Sequence, residues 1–179
     1  MIDDQHKVDF RKKCLDRLRF ITKFAKYKKN KIVVSRLKEF IYASEVKNIL
    51  LYIPMDLEVD VQPLINLLRK SGKYNIFVPY MQGESFKIVK YRLPLEKKRF
   101  NIKEPKNSYF KAKIDLAIVP VVGIDAVNKR IGFGKGMYDR FFGNLDYQPI
   151  MVFTQLELCK SDKILSEDHD IQSDLIFTS

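Results

Sequence analysis

The segment RIGFGKGMYDR, residues 130–140, has the composition of a phosphate-binding loop. Three of the chain's seven glycines alternate here with other residues, at Gly132, Gly134 and Gly136. Backbone N–H groups in such a loop, together with the start of a helix expected directly behind it, can converge on an anion. Arg130 and Lys135 add full positive charges, the arginine as a bidentate donor and the lysine as a point charge.

Asp139 suggests that a metal ion accompanies the phosphates. A carboxylate repels phosphates unless a divalent cation lies between them, and Mg²⁺ typically takes one or two carboxylates plus phosphate oxygens. The segment therefore indicates a metal–nucleotide site, although a tight turn whose charges face water fits the spacing equally well. It is neither a P-loop, which needs Ser or Thr at Gly136, nor a dinucleotide fingerprint, which needs glycine at Met137.

The composition is that of one globular domain spanning residues 1–179. Apolar residues make up 46% and charged residues 31%, which excludes a disordered chain, and no apolar run is long enough to cross a bilayer. No secretory signal is expected at the start. Cys14 and Cys159 are too few for a disulfide framework, and together these features favour a cytoplasmic protein.

The formal net charge of +11 indicates attraction to anions, whether nucleic acid, acidic lipid or a polyanionic small molecule. The most basic run, residues 23–31, is more typical of a solvated helix end than of a nucleic-acid-binding arm. No RRM-like aromatic segment or zinc finger accompanies it. A basic nucleic-acid-binding module is therefore an alternative supported by charge alone.

Helices and strands are predicted to alternate along the chain. Apolar residues at helical spacing predict helices that contain Cys14, Leu18, Ile21 and Ala25, or span residues 32–43, 63–72 and 138–145. Continuous apolar runs predict buried strands over residues 48–54, 75–79, 115–120, 149–153 and 174–178. Residues 86–91 alternate as an exposed strand does, and residues 92–113 are predicted to be a loop region. The fold class expected is α/β, with a single-domain open, mostly parallel sheet flanked by helices in a Rossmann-like three-layer arrangement.

Three of the predicted strands end in proline, at Pro54, Pro79 and Pro120. Each proline is expected to stop its strand, because it lacks the N–H that a sheet requires. Ligands of open α/β sheets bind beyond the carboxyl ends of the strands. The site is therefore expected among residues 55–60, 80–84 and 121–139.

Four segments together resemble the 5-formyltetrahydrofolate cyclo-ligase (5,10-methenyltetrahydrofolate synthetase) family. The strongest is VPVVGIDAVNKRIGFGKGMYDRFF, with an arginine, alternating glycines and a Tyr-Asp pair. KVDFR is similar to the family's N-terminal Lys and Arg pair, YIPMDLEVD to its substrate-side segment, and EDHDIQSDLIFT to its C-terminal segment. The four occur in the family's order and spacing, over most of the chain.

The resemblance implies an ATP- and Mg²⁺-dependent ligase that converts 5-formyltetrahydrofolate into 5,10-methenyltetrahydrofolate and releases ADP and phosphate. Members are thought to phosphorylate the formyl oxygen first, a reaction that depends on positioning and charge neutralisation. The partners implied are small molecules, with no nucleic acid and no membrane, for a monomer or weak homo-oligomer. The alternatives are a catalytically silent folate- or nucleotide-binding relative and the basic nucleic-acid-binding module.

The resemblance also implies roles for individual residues. Those for ATP are Lys7, Arg11, Arg130, Ile131, Gly132, Phe133, Gly134, Lys135, Gly136, Met137 and Tyr138, with Lys135 and Arg130 catalytic. Those for the folate are Ile53, Glu58, Phe133, Gly134, Lys135, Gly136 and Met137. Those for Mg²⁺ are Asp139 and Asp170. Two positions depart from the family pattern and bear on substrate affinity: Met137 where Tyr is usual, and Val61 where Thr is common.

Overall fold

A computed structural model describes residues 4–97, 103–108 and 113–179 of the chain. The helices are α1 (Asp4–Phe24), α2 (Lys26–Ala43), α3 (Gln62–Ser71) and α4 (Met137–Gly143). The strands are β1 (Asn48–Leu50), β2 (Asn75–Gln82), β3 (Ser85–Lys90), β4 (Glu96–Lys97), β5 (Lys103–Glu104), β6 (Leu116–Pro120), β7 (Gly123–Ile124), β8 (Arg130–Ile131), β9 (Ile150–Thr154) and β10 (Leu175–Phe177). Within these ranges, no helix is both long and apolar enough to span a bilayer.

Six strands form the central sheet, in the order β10-β9-β6-β1-β2-β3. All neighbours are parallel except β2 and β3, which form an antiparallel hairpin at one edge. Chain order and spatial order differ, so the connections cross over the sheet as parallel pairing requires. The predicted open, mostly parallel sheet flanked by helices is confirmed.

Alternate strand residues are buried on opposite faces of the sheet, because successive side chains of a strand point to opposite sides. On one face Ile49, Ile118 and Val152 pack with the apolar residues of α1, α2 and α3. On the other, Leu50, Val119 and Phe153 pack with the much shorter α4. The sheet is therefore the middle of three layers.

The predicted helices are present, with the apolar faces turned inward. Cys14, Leu18 and Ile21 of α1 are buried, as are Val33, Leu37 and Ile41 of α2. The two helices are separated at Ala25, so the basic run at residues 23–31 extends across the junction between them. Helix α3 ends where expected, at a left-handed Gly72.

Three expectations about strand ends and loops are wrong. The strand predicted over residues 48–54 ends at Leu50, so Pro54 is not what stops it. Pro79 does not stop β2, which continues to Gln82 paired with β3. Beyond Phe77 that strand has a neighbour on one side only, a setting in which a strand tolerates proline. The expected loop region at residues 92–113 contains the short hairpin of β4 and β5, although residues 98–102 and 109–112 lie outside the described ranges.

A disulfide joins Cys14 of α1 to Cys159, which follows β9. The two Cα atoms lie 5.9 Å apart, and both side chains are buried. The expectation from cysteine number excluded a framework of several bridges, and a single bridge was not anticipated. It fastens α1 to the segment beyond the carboxyl end of the sheet.

Candidate functional site

The glycine segment follows strand β8 and runs directly into α4. Gly132 is needed because the guanidinium of Arg130 folds back against it, and an added Cβ would lie 2.3 Å from Nη1. Gly136 has a φ of 59°, in the left-handed region, and an added Cβ there would lie 2.9 Å from Nη1 of Arg140. Both glycines therefore make room for arginine side chains.

Arg130 is buried at the centre of the site, only 5% exposed. Its Nη1 lies 3.2 Å from Oδ2 of Asp139, and its Nε donates to the carbonyl of Pro120 at the end of β6. Its guanidinium also lies over the ring of Tyr138, 4.9 Å from the centroid. These contacts compensate a charge that would otherwise be costly to bury.

Helix α1 brings two further cations to the glycine segment. Lys7 and Arg11 lie one turn apart on the same helix face. Nζ of Lys7 lies 2.5 Å from Oδ2 of Asp170, and Nε of Arg11 donates to the carbonyl of Gly132 at 2.9 Å. The resemblance had implied this convergence of residues more than 120 positions apart, and the structure places them together.

A cavity of about 220 Å³ lies among these charged groups. It is lined by Lys7, Arg11, Arg130, Gly132, Gly134, Gly136, Asp139, Arg140, His169 and Asp170. Three of these side chains are guanidinium groups, one is an ammonium group, and two are carboxylates. The lining favours an anion with several negative charges, accompanied by at most a small cation.

A second, larger cavity of about 620 Å³ lies on the other side of the segment. It is lined by Met55, Glu58, Met81, Gly83, Glu84, Arg130, Phe133, Gly134, Lys135, Gly136, Met137, Tyr138 and Arg140. Several of these follow β1 or lie at the end of β2, as expected for the carboxyl edge of the sheet. Its size and its mixture of apolar side chains with five charged ones are typical of a site for an organic ligand.

The glycine segment separates the two cavities. Gly134 and Gly136 line both, since neither has a side chain that would close one of them. Phe133, Lys135 and Met137 line only the second cavity, whereas Gly132 lines only the first. A ligand in either cavity can therefore contact the same short backbone segment.

Glu58 is the buried acid of the second cavity, 6% exposed. Burial raises the pKa of its carboxyl to about 7, although the backbone N–H of Met55, at 2.8 Å from Oε2, and the charge of Arg130 both lower it. Burial and the nearby Glu58 carboxylate likewise raise the pKa of Tyr138 and of Tyr52. Near neutral pH, Glu58 can therefore be present with or without its proton.

Asp139 and Asp170 both line the smaller cavity and are the oxygen donors that Mg²⁺ prefers. Each already has a cation beside it, Arg130 and Lys7 respectively, and each accepts a backbone hydrogen bond, from Ile171 and Glu167. In the part of the chain described, no three acidic, histidine or cysteine side chains cluster as a metal site. The pair fits Mg²⁺ only if phosphate oxygens supply further ligands.

Not every residue implied by the resemblance faces a cavity. The side chain of Ile53 packs against the core on the helix side of the sheet. Ile131 is fully buried beneath the glycine segment. Val61 is also fully buried, just before α3, so its departure from the usual Thr changes the core rather than the cavity lining. Met137 does line the second cavity, so its departure bears on that site.

Sequence reasoning missed several lining residues. His169 precedes Asp170, and its imidazole Nδ1 lies 3.3 Å from a carboxylate oxygen of Glu167. Arg140 is the last residue of the segment at residues 130–140 and lines both cavities, but the sequence predicted no role for it. Met81 and Glu84 fell inside a loop predicted to carry the site, and only their individual contributions were unassigned. Proximity in sequence to assigned residues was the one signal available for His169 and Arg140.

Comparison with known proteins places this arrangement in context. The model of the 5-formyltetrahydrofolate cyclo-ligase family matches residues 3–179. The 5-formyltetrahydrofolate cyclo-ligase of Haemophilus influenzae is 25% identical over 158 residues, covering 83% of the chain and 84% of that protein. That of Mycoplasma pneumoniae is 36% identical over 75 residues, covering 42% of the chain and 45% of that protein. The solved structure of a 5,10-methenyltetrahydrofolate synthetase from Mycoplasma pneumoniae matches with a TM-score of 0.76 and 26% identity, covering 96% of the chain and 97% of its own.

Proposed function

The chain belongs to the 5-formyltetrahydrofolate cyclo-ligase family, and from this membership we propose how its residues divide the work. Its activity is the ATP-dependent conversion of 5-formyltetrahydrofolate into 5,10-methenyltetrahydrofolate. One observation carries the assignment of residues: a single glycine segment lies between a small, highly charged cavity and a larger, more apolar one. A phosphoryl donor and an organic acceptor need such adjacent sites, because the transferred group must pass between them.

The smaller cavity binds the phosphates of ATP. Lys7 and Arg11 approach from α1, and Arg130 lies opposite them. Since the guanidinium groups can donate to two phosphate oxygens at once, they orient the chain of phosphates as well as neutralising it. The backbone of Gly132 to Gly136 lies alongside, where the lack of side chains permits close approach.

The larger cavity binds the folate. The pterin ring of the substrate presents adjacent N–H donors, and the carboxylate of Glu58 can accept from two of them. Phe133, Met137 and Tyr138 supply the apolar surface on which a flat ring system packs. Arg130 reaches this cavity as well, so its charge lies between the two substrates.

The reaction then proceeds by activation of a poor leaving group. The formyl oxygen attacks the γ-phosphorus, the bond from phosphorus to ADP breaks, and nitrogen 5 becomes an iminium with the phosphate on the former formyl oxygen. Nitrogen 10 attacks the carbon and loses its proton, and the C–O bond breaks to release phosphate. Nitrogens 5 and 10 then share the positive charge across the new carbon.

Lys135 and Arg130 are the catalytic residues of this proposal. Arg130 lines both cavities, and Lys135 lines the larger one between Gly134 and Gly136, which line both. Negative charge accumulates on the transferring phosphoryl oxygens, so cations at these positions would stabilise the transition state. Asp139 and Asp170 would hold Mg²⁺ against the phosphates, where the ion would neutralise negative charge and draw the phosphate oxygens into position. A cytoplasmic setting and a monomer or weak homo-oligomer are part of the same proposal, although the disulfide between Cys14 and Cys159 is unusual for a reducing compartment.

An absorbance assay tests this function. The product contains a conjugated amidinium between nitrogens 5 and 10 and should absorb at longer wavelength than the formamide. We expect a new near-ultraviolet band with protein, 5-formyltetrahydrofolate, ATP and Mg²⁺, and none when ATP or Mg²⁺ is left out. Lys135→Ala should slow its appearance about 10²–10³-fold. Binding of both ligands without any band would instead identify a catalytically silent relative.

A further inference from the structure

Arg140, the last residue of the quoted segment, connects two parts of the larger cavity that are far apart in sequence. Its Nε and Nη2 both donate to the carbonyl of Glu84, at 2.9 and 2.5 Å. Nη2 also donates to the carbonyl of Lys135 at 2.5 Å. One guanidinium therefore bridges the turn between β2 and β3 and the glycine segment.

The surroundings of Arg140 are built to admit this bridge. Its side chain lies over Gly136, where a Cβ would come within 2.9 Å of Nη1. The turn that it holds includes Gly83, with a φ of 61°, and both Gly83 and Glu84 line the larger cavity. Strand β3 and helix α4, which directly follow the turn and the glycine segment, are joined by packing of Phe86 against Phe141, at 4.4 Å between ring centroids.

We propose that Arg140 is a positioning residue that fixes the glycine segment, and Lys135 with it, against the β2–β3 turn. The inference rests on the proposed function, since it assigns Arg140 a part in the same reaction. The planar guanidinium has donors that diverge in a rigid fork, which lets it hold two carbonyls at once. An ammonium group on a flexible stem lacks that geometry. The bridge sets the width of the folate cavity and the place of Lys135 within it.

The first test is kinetic and uses Arg140→Gln and Arg140→Lys. Because misplacing a reacting group by about 1 Å can cost about a hundredfold in rate, we expect Arg140→Gln to lower kcat by about ten- to a hundredfold. KM for 5-formyltetrahydrofolate should rise several-fold, while ATP affinity falls less than it does in Lys7→Ala, since Arg140 also lines the phosphate cavity. Arg140→Lys should recover only part of the loss.

Arg36→Gln is the matched control. Arg36 is also exposed and also donates to a remote backbone carbonyl, that of Thr178 at 2.6 Å, but it lines neither cavity. It should retain wild-type kcat and KM. Equal kinetics for Arg140→Gln and Arg36→Gln would overturn the proposal, as would full activity in Arg140→Lys or a loss of ATP affinity as large as that of Lys7→Ala.

Amide hydrogen exchange gives a second readout that does not depend on turnover. Arg140→Gln should accelerate exchange in residues 83–85 and 134–137 together, and Arg36→Gln should change neither. Unchanged exchange in either segment would contradict the bridge. If the wild-type protein forms no product, the proposed function fails, whereas exchange that responds as expected would still support the bridge itself.

Discussion

Arg130 and Asp139 form a buried ion pair beneath the glycine segment, with 3.2 Å between Nη1 and Oδ2. The arginine lines both cavities, and the aspartate lines the phosphate cavity only. This pair links the charge at the junction of the two substrates to a proposed Mg²⁺ ligand. It should therefore contribute to stability as well as to activity.

Asp139→Asn should lower the free energy of unfolding by about 3 kcal/mol, because it leaves the Arg130 charge buried without its partner. Urea denaturation would measure the loss. Asp16→Asn is the matched control: it breaks an ion pair with Arg19 in which both side chains are about 60% exposed, and it should cost less than about 0.5 kcal/mol. Equal losses in the two variants would show that the buried pair adds nothing to stability.

Glu58 should make stability depend on pH. The pKa of its carboxyl is about 7 in the folded protein and ordinarily 4.5, so the folded state binds the proton more tightly. Its contribution is complete below about pH 4.5 and is lost as the pH rises through about 7, which amounts to a few kcal/mol. The free energy of unfolding of wild type should therefore fall relative to that of Glu58→Gln between about pH 5 and about pH 8, because Gln has no proton to lose.

Glu39→Gln is the control for stability. It changes an exposed carboxyl on α2 and should follow the wild-type pH dependence throughout.

The titration of Glu58 should also appear in catalysis, since its carboxylate is the form that accepts hydrogen bonds from the pterin. The value of kcat/KM for the folate should rise with pH through about 7. A flat profile in the wild-type protein would contradict the assigned role of Glu58.

The disulfide between Cys14 and Cys159 should stabilise the fold and the phosphate site together. It closes a loop with a sequence separation of 145, for which chain entropy gives at most about 5 kcal/mol. Cys14 also lies on α1, the helix that carries Lys7 and Arg11. Reduction should therefore lower the melting temperature and weaken ATP binding more than folate binding. A Cys14→Ser/Cys159→Ser variant should no longer respond to reductant, and a response there would place the effect elsewhere.

The fold was largely predictable because its signals are local. The apolar periods of α1 and α2 and the continuous apolar runs of β6 and β9 each depend only on neighbouring residues. The prediction that Pro79 ends its strand was wrong because a strand's tolerance for proline depends on whether it has a neighbour on both sides, which is a property of the whole sheet. The disulfide was likewise unpredictable, since no local pattern in the sequence indicates that two cysteines 145 positions apart lie side by side in the fold.

The candidate site was predictable in location but not in its division. The loops beyond the strands identified the right edge, and the resemblance supplied the charged residues. That Phe133 faces one cavity and Gly132 the other depends on the backbone path between them. The bridge made by Arg140 depends on a carbonyl of a distant turn, which carries no side-chain signal in the sequence.

The central claim, that the glycine segment separates an ATP site from a folate site, is tested most directly by measuring each ligand's binding to two variants by calorimetry. Lys7→Ala should weaken ATP binding about ten- to a hundredfold and leave 5-formyltetrahydrofolate binding within about twofold, because one charge-assisted bond is lost at one site only. Glu58→Gln should weaken 5-formyltetrahydrofolate binding and leave ATP binding within about twofold. Lys12→Ala, which removes an exposed lysine from the same helix as Lys7, should change neither affinity. Equal weakening of both ligands in both variants, or a crossed pattern, would contradict the division of the site.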